Sequence, residues 1–468
     1  MGKYFGTDGF RGKVNVDLTA RHAFVIGLAL GMLAEEGFEK GSEARLPGPE
    51  RPCIVIGMDT RRSGDMYAAA LSAGISAAGA DVHLAGVITT PGCAYLTRME
   101  DYAFGVMISA SHNPYTDNGI KIFNAAGEKM DDEVLARIEE IIDADGAGVA
   151  LVRENVGTVS RKAYLRDHYL EYLADIAHRG SGFYADDAAR PFAGWKIALD
   201  CANGSSAGAA PALFEGLGAQ VVVRGNHPDG LNINVACGST HIEGLQALVA
   251  DEGCDVGFAF DGDADRCLGV DAAGNVVDGD AIMYVCGRYL AGQERLNNRC
   301  VVTTVMSNYG LYKALDASGL CYEKTAVGDR FVYENMVAND HSLGGEQSGH
   351  VIFREFATTG DGMLTALMVM EALLAEGKTI AQAAEGFTSF PQVLVNVPVR
   401  DKGAALGDVS VKAAIEAAGE ALAGTGRVLV RPSGTEQLIR VMAEAATVEA
   451  AREQVDAIIS AMKTAGVA

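Results

Sequence analysis

Val256-Gly-Phe-Ala-Phe-Asp-Gly-Asp-Ala-Asp-Arg266 is an unbroken apolar run that ends in three carboxylates on alternate residues. A short apolar run closed by turn chemistry reads as a strand buried on both faces, the kind that helices cover in a parallel sheet. Three uncompensated carboxylates directly after such a strand are costly unless a cation meets them. Hard oxygens on alternate residues converge on one ion and suit Mg2+. A calcium-binding EF-hand loop needs Gly at its sixth position and Glu at its twelfth, where this chain has Arg266 and Ala272.

The elements around this stretch repeat. Cys53–Gly57, Asp65–Ala78, Asp81–Leu84 and Tyr102–Ile108 read as strand, helix, strand, strand. Lys196–Leu199, Ala207–Leu217, Gln220–Val223, Ile242–Asp251 and Val256–Phe260 follow the same plan. Cys300–Val305, Tyr309–Ser318, Cys321–Thr325, Arg330–Ala338 and Ser342–Gly344 do so again. Continuous apolar strands alternating with helices predict an α/β protein of three related, doubly wound domains with parallel sheets. After a helical stretch over Gly362–Gly386 the pattern breaks. Gln392–Val397, Arg427–Val430 and Leu438–Ala443 read as strands and Val448–Met462 as a helix, a smaller α+β domain. The expected division is 1–160, 161–274, 275–387 and 388–468. Gly41–Pro52 and Gly180–Pro191 read as surface insertions without an assigned role.

Each repeat closes its last strand with a polar loop, and open α/β sheets bind ligands beyond the carboxyl ends of their strands. The first loop is Ser111-His-Asn-Pro114, in a tight turn with Asp117-Asn-Gly119. A phosphorylated Ser111 is a phosphoryl donor whose charge the metal neutralises. His112 is adjacent in sequence, which places its side chain elsewhere than on the hydroxyl. Lys121 is a candidate proton carrier or phosphate contact, and Arg266 pairs with the carboxylates or points at a phosphate. Gly345-Glu346-Gln347-Ser348-Gly349-His350 offers a carboxylate, an amide, a hydroxyl and an imidazole, a set suited to sugar hydroxyls. Arg431-Pro-Ser433-Gly434-Thr435 joins two strands as a phosphate nest. Gly6–Gly12 is glycine-dense without a dinucleotide or P-loop spacing, and its Arg11 is a candidate phosphate contact. Hydroxyl plus oxygen-only cation site is the equipment of phosphoryl transfer through a phosphoserine.

Composition narrows the class. The chain has 468 residues, 49% of them apolar, enough for several packed cores and against wholesale disorder. A formal charge of −23 argues against nucleic acid as a partner. The nine cysteines show no Cys-x-x-Cys pair or zinc spacing. The start, Met1-Gly-Lys-Tyr-Phe-Gly, reads as no secretory signal, and the apolar stretch Ala23–Ala34 is too short for a membrane span. A reduced, cytoplasmic protein without a membrane partner is expected.

These motifs, with Tyr4–Gly12, Leu231-Asn-Ile-Asn234, Cys237-Gly-Ser-Thr-His241 and Val327-Gly-Asp-Arg330, occur in an order that resembles the α-D-phosphohexomutase family over nearly the whole chain. The resemblance is greatest to the bacterial members that act on glucosamine phosphates. Gln347 carries this, standing where mannose/glucose enzymes often have Met; Gln437 departs from the pattern, in place of a common Pro. The resemblance implies four domains around a central cleft and a phosphoserine at Ser111. It implies one Mg2+ on Asp261, Asp263, Asp265 and a Ser111-borne oxygen. Arg266, Lys121 and His350 are implied as catalytic. Arg11, Arg330, Glu346, Gln347, Ser348, Arg431, Ser433, Gly434 and Thr435 are implied as substrate contacts. The implied activity interconverts glucosamine 6-phosphate and glucosamine 1-phosphate through glucosamine 1,6-bisphosphate, which also serves as activator, and supplies UDP-N-acetylglucosamine synthesis. The implied partner is a small sugar phosphate, and a homodimer is allowed. A phosphomannomutase/phosphoglucomutase is the nearest rival reading. An aspartate-nucleophile phosphatase and an inactive sugar-phosphate binding protein are the rivals of other classes.

Overall fold

A computed structural model describes residues 2–41, 51–180, 190–433 and 436–468. Most of both insertions, and Gly434 and Thr435, lie outside the described residues. The chain forms two compact units, Met1–Met306 with Cys321–Glu385, and Ser307–Leu320 with Gly386–Ala468.

The larger unit holds three sheets. The first contains β1 (Phe10–Lys13), β2 (Cys53–Met58), β3 (Asp81–Val87), β4 (Phe104–Ile108), β5 (Asp117–Phe123) and β6 (Val159–Arg161), in the order β1-β5-β4-β2-β3-β6. The second contains β7 (Lys196–Asp200), β8 (Gln220–Arg224), β9 (Val256–Phe260), β10 (Cys267–Asp271) and β11 (Val276–Val277), in the order β11-β10-β9-β7-β8. The third contains β12 (Cys300–Thr304), β13 (Cys321–Thr325), β14 (Leu343–Gly345) and β15 (Val351–Phe353), in the order β13-β12-β14-β15. Ile54, Val55 and Ile56 in β2 are all buried, so side chains on both faces of that strand sit in core. That is why the sequence there is an apolar run without alternation.

The expectation of parallel sheets needs correction. β2 pairs parallel with β3 and β4, and β7 with β8 and β9, as the repeats predict. Yet β4 turns back into antiparallel β5, β9 into β10, and β14 into β15. The sheets are mixed, and each polar loop is the tip of a hairpin on the last parallel strand. The returning strands are short or rich in turn residues, and Asp117-Asn-Gly119 disguises the start of β5 as a turn alone.

The helix Gly362–Glu376 is apolar all round and buried along almost its whole length, as expected of a helix inside a core. Asp361 caps it by accepting from the Leu364 amide at 3.0 Å, and the Tyr169 hydroxyl donates to the same carboxylate at 2.7 Å. This ties the helix Leu165–Gly180 to the start of the core helix. Burial, ahead of these bonds, pushes the Asp361 carboxyl up to about 6.

The smaller unit holds the antiparallel sheet β16 (Gln392–Pro398), β17 (Gly426–Pro432) and β18 (Leu438–Ala445), in the order β16-β18-β17. The helix Val448–Thr464 turns Ala451, Val455, Ile458 and Met462 into its core, the 3–4 spacing of an amphipathic helix. Among the described residues no helix is long and apolar enough to cross a membrane.

Candidate active site

Ser111 lies at the tip of the β4–β5 hairpin, 1% exposed, with a left-handed φ of +50°. A non-glycine residue there must be held by its surroundings. Its amide donates to Ser109 Oγ at 2.9 Å, and Ser109 Oγ donates to Asp59 Oδ2 at 2.6 Å. Arg61 pairs with Asp59 at 2.9 Å and spends its remaining N–H groups on the carbonyls of Ser111, Asn113, Pro114 and Asp117. The Ser111 hydroxyl donates to Asp261 Oδ2 at 2.5 Å. The His112 expectation is corrected: its Nδ1 lies 3.3 Å from Ser111 Oγ. Ser111 is itself left-handed, and in this backbone the adjacent ring sits against its hydroxyl. Burial, then Arg266 and Arg11, push the His112 imidazole down to about 4, so the ring beside the hydroxyl is neutral near pH 7.

The acidic loop follows β9. One carboxylate oxygen from each of Asp261, Asp263 and Asp265 lies within 4.8 Å of the others, and all three residues are buried. Gly262 allows the approach, because a Cβ there would meet the Ser111 carbonyl oxygen at 2.5 Å. Asp263 Oδ2 accepts from Thr90 Oγ1 at 2.6 Å and from Lys121 Nζ at 2.8 Å. Lys121 also reaches Asp265 at 3.3 Å and Asp8 at 3.2 Å. Burial would drive its proton off, but Asp263, Asp8 and Asp265 outweigh burial and raise its pKa. Lys121 is therefore an ammonium. Burial, then the charges of Asp265 and Asp263, raise Asp261 well above the carboxylate range. The buried oxygens Asp263 Oδ1 and Asp265 Oδ1 have no hydrogen-bond partner. Buried carboxylate oxygens without a hydrogen-bond partner, in a cluster of three aspartates, fit a hard divalent cation. Arg266 closes the loop, its amide 3.3 Å from Asp261 Oδ1 and its Nε 3.8 Å from Asp265 Oδ1.

The third hairpin brings His350 to the same place. Its Nδ1 is 3.7 Å from Asp265 Oδ1 and its Nε2 is 3.4 Å from Asp329 Oδ2. The Gly360 amide donates to Nε2 at 2.9 Å, which holds the neutral ring's proton on Nδ1. Burial lowers this imidazole's pKa, but Asp265, Asp329 and Glu346 outweigh it and raise it to about 9. A proton gained at Nε2 must displace the Gly360 amide. Glu346 accepts from the Gly328 amide at 3.1 Å, and Gln347 Nε2 donates to Asp278 Oδ2 at 3.1 Å. Ser348 is exposed. Arg11 pairs with Asp8. Arg330 is held by Asp132 at 2.5 Å and Glu334 at 2.7 Å, and borders a cavity of about 300 Å³ together with Lys129 and Asp329.

In the smaller unit, Arg431 stands opposite Arg440 in the β17–β18 ladder. Burial and then that like charge lower its pKa. Ser433 is buried, its hydroxyl accepting from the Glu436 amide at 3.2 Å.

The sequence reading brought out Ser111, the three aspartates, Lys121, Arg266 and His350, and the structure gathers all seven. It missed Asp59, Arg61 and Thr90, and named Asn234 only within the stretch Leu231–Asn234, without a role. A carboxylate at the carboxyl end of an apolar strand marks Asp59, as it marks Asp261; nothing local marks Thr90.

Models of four domains match the chain in order. Phosphoglucomutase/phosphomannomutase alpha/beta/alpha domain I matches residues 2–148, domain II 168–274, domain III 278–390, and the C-terminal domain 394–461. The chain is 50% identical to a phosphoglucosamine mutase of Lachnospira eligens, over 100% of both chains. It is 48% identical to one of Geobacillus kaustophilus, over 99% of both. A Burkholderia thailandensis phosphoglucomutase/phosphomannomutase family protein has the same fold, with a TM-score of 0.77 at 21% identity, covering 100% of this chain and 98% of that one. An Aspergillus fumigatus N-acetylphosphoglucosamine mutase, solved with GlcNAc-6P and magnesium, matches at a TM-score of 0.64 and 19% identity, over 99% and 96%.

Proposed function

Because the chain belongs to the phosphoglucomutase/phosphomannomutase family, the α-D-phosphohexomutases, we propose that it interconverts glucosamine 6-phosphate and glucosamine 1-phosphate. The observation that carries the chemistry is the Ser111 hydroxyl 2.5 Å from Asp261, beside two buried carboxylate oxygens without a hydrogen-bond partner. The amino-sugar substrate rests on the full-length identity to phosphoglucosamine mutases. The four modules of this reading are 1–160, 161–274, 275–387 and 388–468.

In this reading Ser111 carries the phosphoryl group. The P–Oγ bond breaks as a P–O bond to the free sugar hydroxyl forms, and the hydroxyl proton leaves to a base. The 1,6-bisphosphate then turns end for end, and its other phosphate returns to Ser111. Asp261, Asp263 and Asp265 with a Ser111-borne oxygen would hold Mg2+, which when bound neutralises charge on the transferring group. Lys121, an ammonium among carboxylates, donates to phosphoryl oxygens and does not serve as the base. His350 takes that part through its neutral form, a minority near pH 7 because its pKa is raised to about 9, gaining the proton at Nε2 in exchange for the Gly360 amide. Arg266 adds positive charge beside the phosphoryl group. Glu346, Gln347 and Ser348 face the sugar, and Arg11 and Arg330 contact its phosphate. Arg431, Ser433, Gly434 and Thr435 hold the phosphate that is not reacting.

The deciding experiment measures turnover with Mg2+ and the matching 1,6-bisphosphate on glucosamine, glucose and mannose 6-phosphates. The highest kcat/KM is expected on glucosamine 6-phosphate. A higher value on the mannose or glucose substrate overturns the assignment of substrate and leaves the family.

A further inference from the structure

Leu231-Asn-Ile-Asn234 has no part in the chemistry above, yet Asn234 reaches from the second module to the serine turn. We propose that Asn234 and Arg61 are positioning residues that together clamp the Ser111 and Asn113 carbonyls and so hold the Ser111 hydroxyl on Asp261. This rests on Ser111 being the phosphoryl carrier.

Each of the two carbonyls accepts two N–H groups. Arg61 donates to Ser111 O and Asn113 O, both at 2.8 Å, and Asn234 Nδ2 donates to them at 2.9 and 3.1 Å. A guanidinium has five N–H groups, and here Asp59 and four carbonyls of the turn take all of them. Asn234 is fixed as tightly. Its backbone is left-handed, φ +60°, and its amide donates to Ala202 O at 2.8 Å. Carbonyls only accept, so the NH2 side of its amide must face the turn. That leaves Asn234 Oδ1 buried without a hydrogen-bond partner. An orphaned oxygen is a cost that a space-filling residue does not carry.

The placement gives this cost a use. Asn234 belongs to the same module as Asp261, and Ser111 to the module before it. A side chain bound to the turn therefore sets the distance between the hydroxyl and the carboxylate that the chemistry needs. Misplacement of a reacting group by about 1 Å costs on the order of a hundredfold in rate.

The test is Asn234→Gly, which keeps the left-handed backbone and deletes only the amide. It is assayed with Mg2+ on glucosamine 6-phosphate, with the melting temperature measured and phosphate at Ser111 mapped by peptide mass. Expected is a kcat lowered about ten- to a hundredfold, with KM within about twofold of wild type and the melting temperature unchanged. Asn234→Asp, which sets a carboxylate against two carbonyls, should fall further. Arg61→Lys keeps the charge facing Asp59 but has only three N–H groups for five acceptors, and should show the same split of kcat from KM. Wild-type kcat in Asn234→Gly overturns the clamp, as does a kcat loss that tracks a lower melting temperature and a raised KM. If Ser111 carries phosphate in the wild type while Asn234→Gly is kinetically normal, the clamp alone fails. If Ser111 of the active wild type never carries phosphate, the carrier reading fails and takes the clamp with it.

Discussion

The Ser111 turn and the strand ends around Arg431 are the two phosphate sites of the reading proposed above, yet they are made in opposite ways. The first is buried, tied through its own carbonyls by Arg61 and Asn234, and faces three carboxylates. The second puts Arg431 across from Arg440, with Lys402 donating to the Ser433 carbonyl at 2.8 Å and the Glu436 carbonyl at 3.2 Å. Among the described residues the only ion pair recorded for Arg440 is Glu436 at 3.8 Å, and none is recorded for Arg431. One place gathers three buried aspartates whose oxygens suit a cation; the other gathers Arg431, Arg440 and Lys402, which suit an anion. A phosphorus atom that changes partners needs the first, with every group fixed in advance. A phosphate that only rests needs the second, and cationic donors suit either end of the sugar.

The largest effect should come from the first region. Ser111→Ala removes the donor, so mutase turnover should vanish while sugar-phosphate binding stays within a few-fold of wild type. Full activity in that variant, measured in a coupled assay, breaks the contrast at its root. Next comes the cation. Exhaustive chelation should abolish turnover and Mg2+ should restore it. Asp263→Asn should lower metal affinity and rate by about a hundredfold, since it removes charge from an oxygen-ligand site. Undiminished turnover in metal-free protein takes the acidic loop out of the chemistry. The smallest of the three is Arg431→Ala. Loss of a charge-assisted phosphate contact is worth roughly 1.5–3 kcal/mol, or about ten- to a hundredfold in KM. Both the 1-phosphate and the 6-phosphate should be affected, with phosphate at Ser111 and Mg2+ affinity left near wild type. A defect on one substrate alone would mean that this nest serves a single orientation.

Much of this contrast was legible in the sequence because strands and charge clusters announce themselves locally. Val256–Phe260 followed by alternate aspartates specifies both a buried strand and a cation site without any distant residue. The strands that return from each hairpin tip were not legible: β5 opens with Asp117-Asn-Gly119, which reads as a turn, β10 has five residues and β15 has three. Runs this short carry little periodicity to separate strand from loop. Arg61 was illegible for another reason. Its meaning lies in carbonyls 50 to 56 residues away, and an arginine after a strand reads as any surface cation until they are in place. Gln347 shows the converse. Its identity singled it out, but only the structure shows that its amide is donated to Asp278.

The serine turn also has a history in time. Ser111 meets its carboxylate across 150 residues of chain, and Asn234 meets the turn across 123. At a synthesis rate of about 5–20 residues per second, the ribosome makes the serine roughly 8–30 s before Asp261. During that interval the first module folds with its hydroxyl facing no carboxylate and its turn lacking half of its clamp. The contact of hydroxyl and carboxylate exists only once the second module has docked.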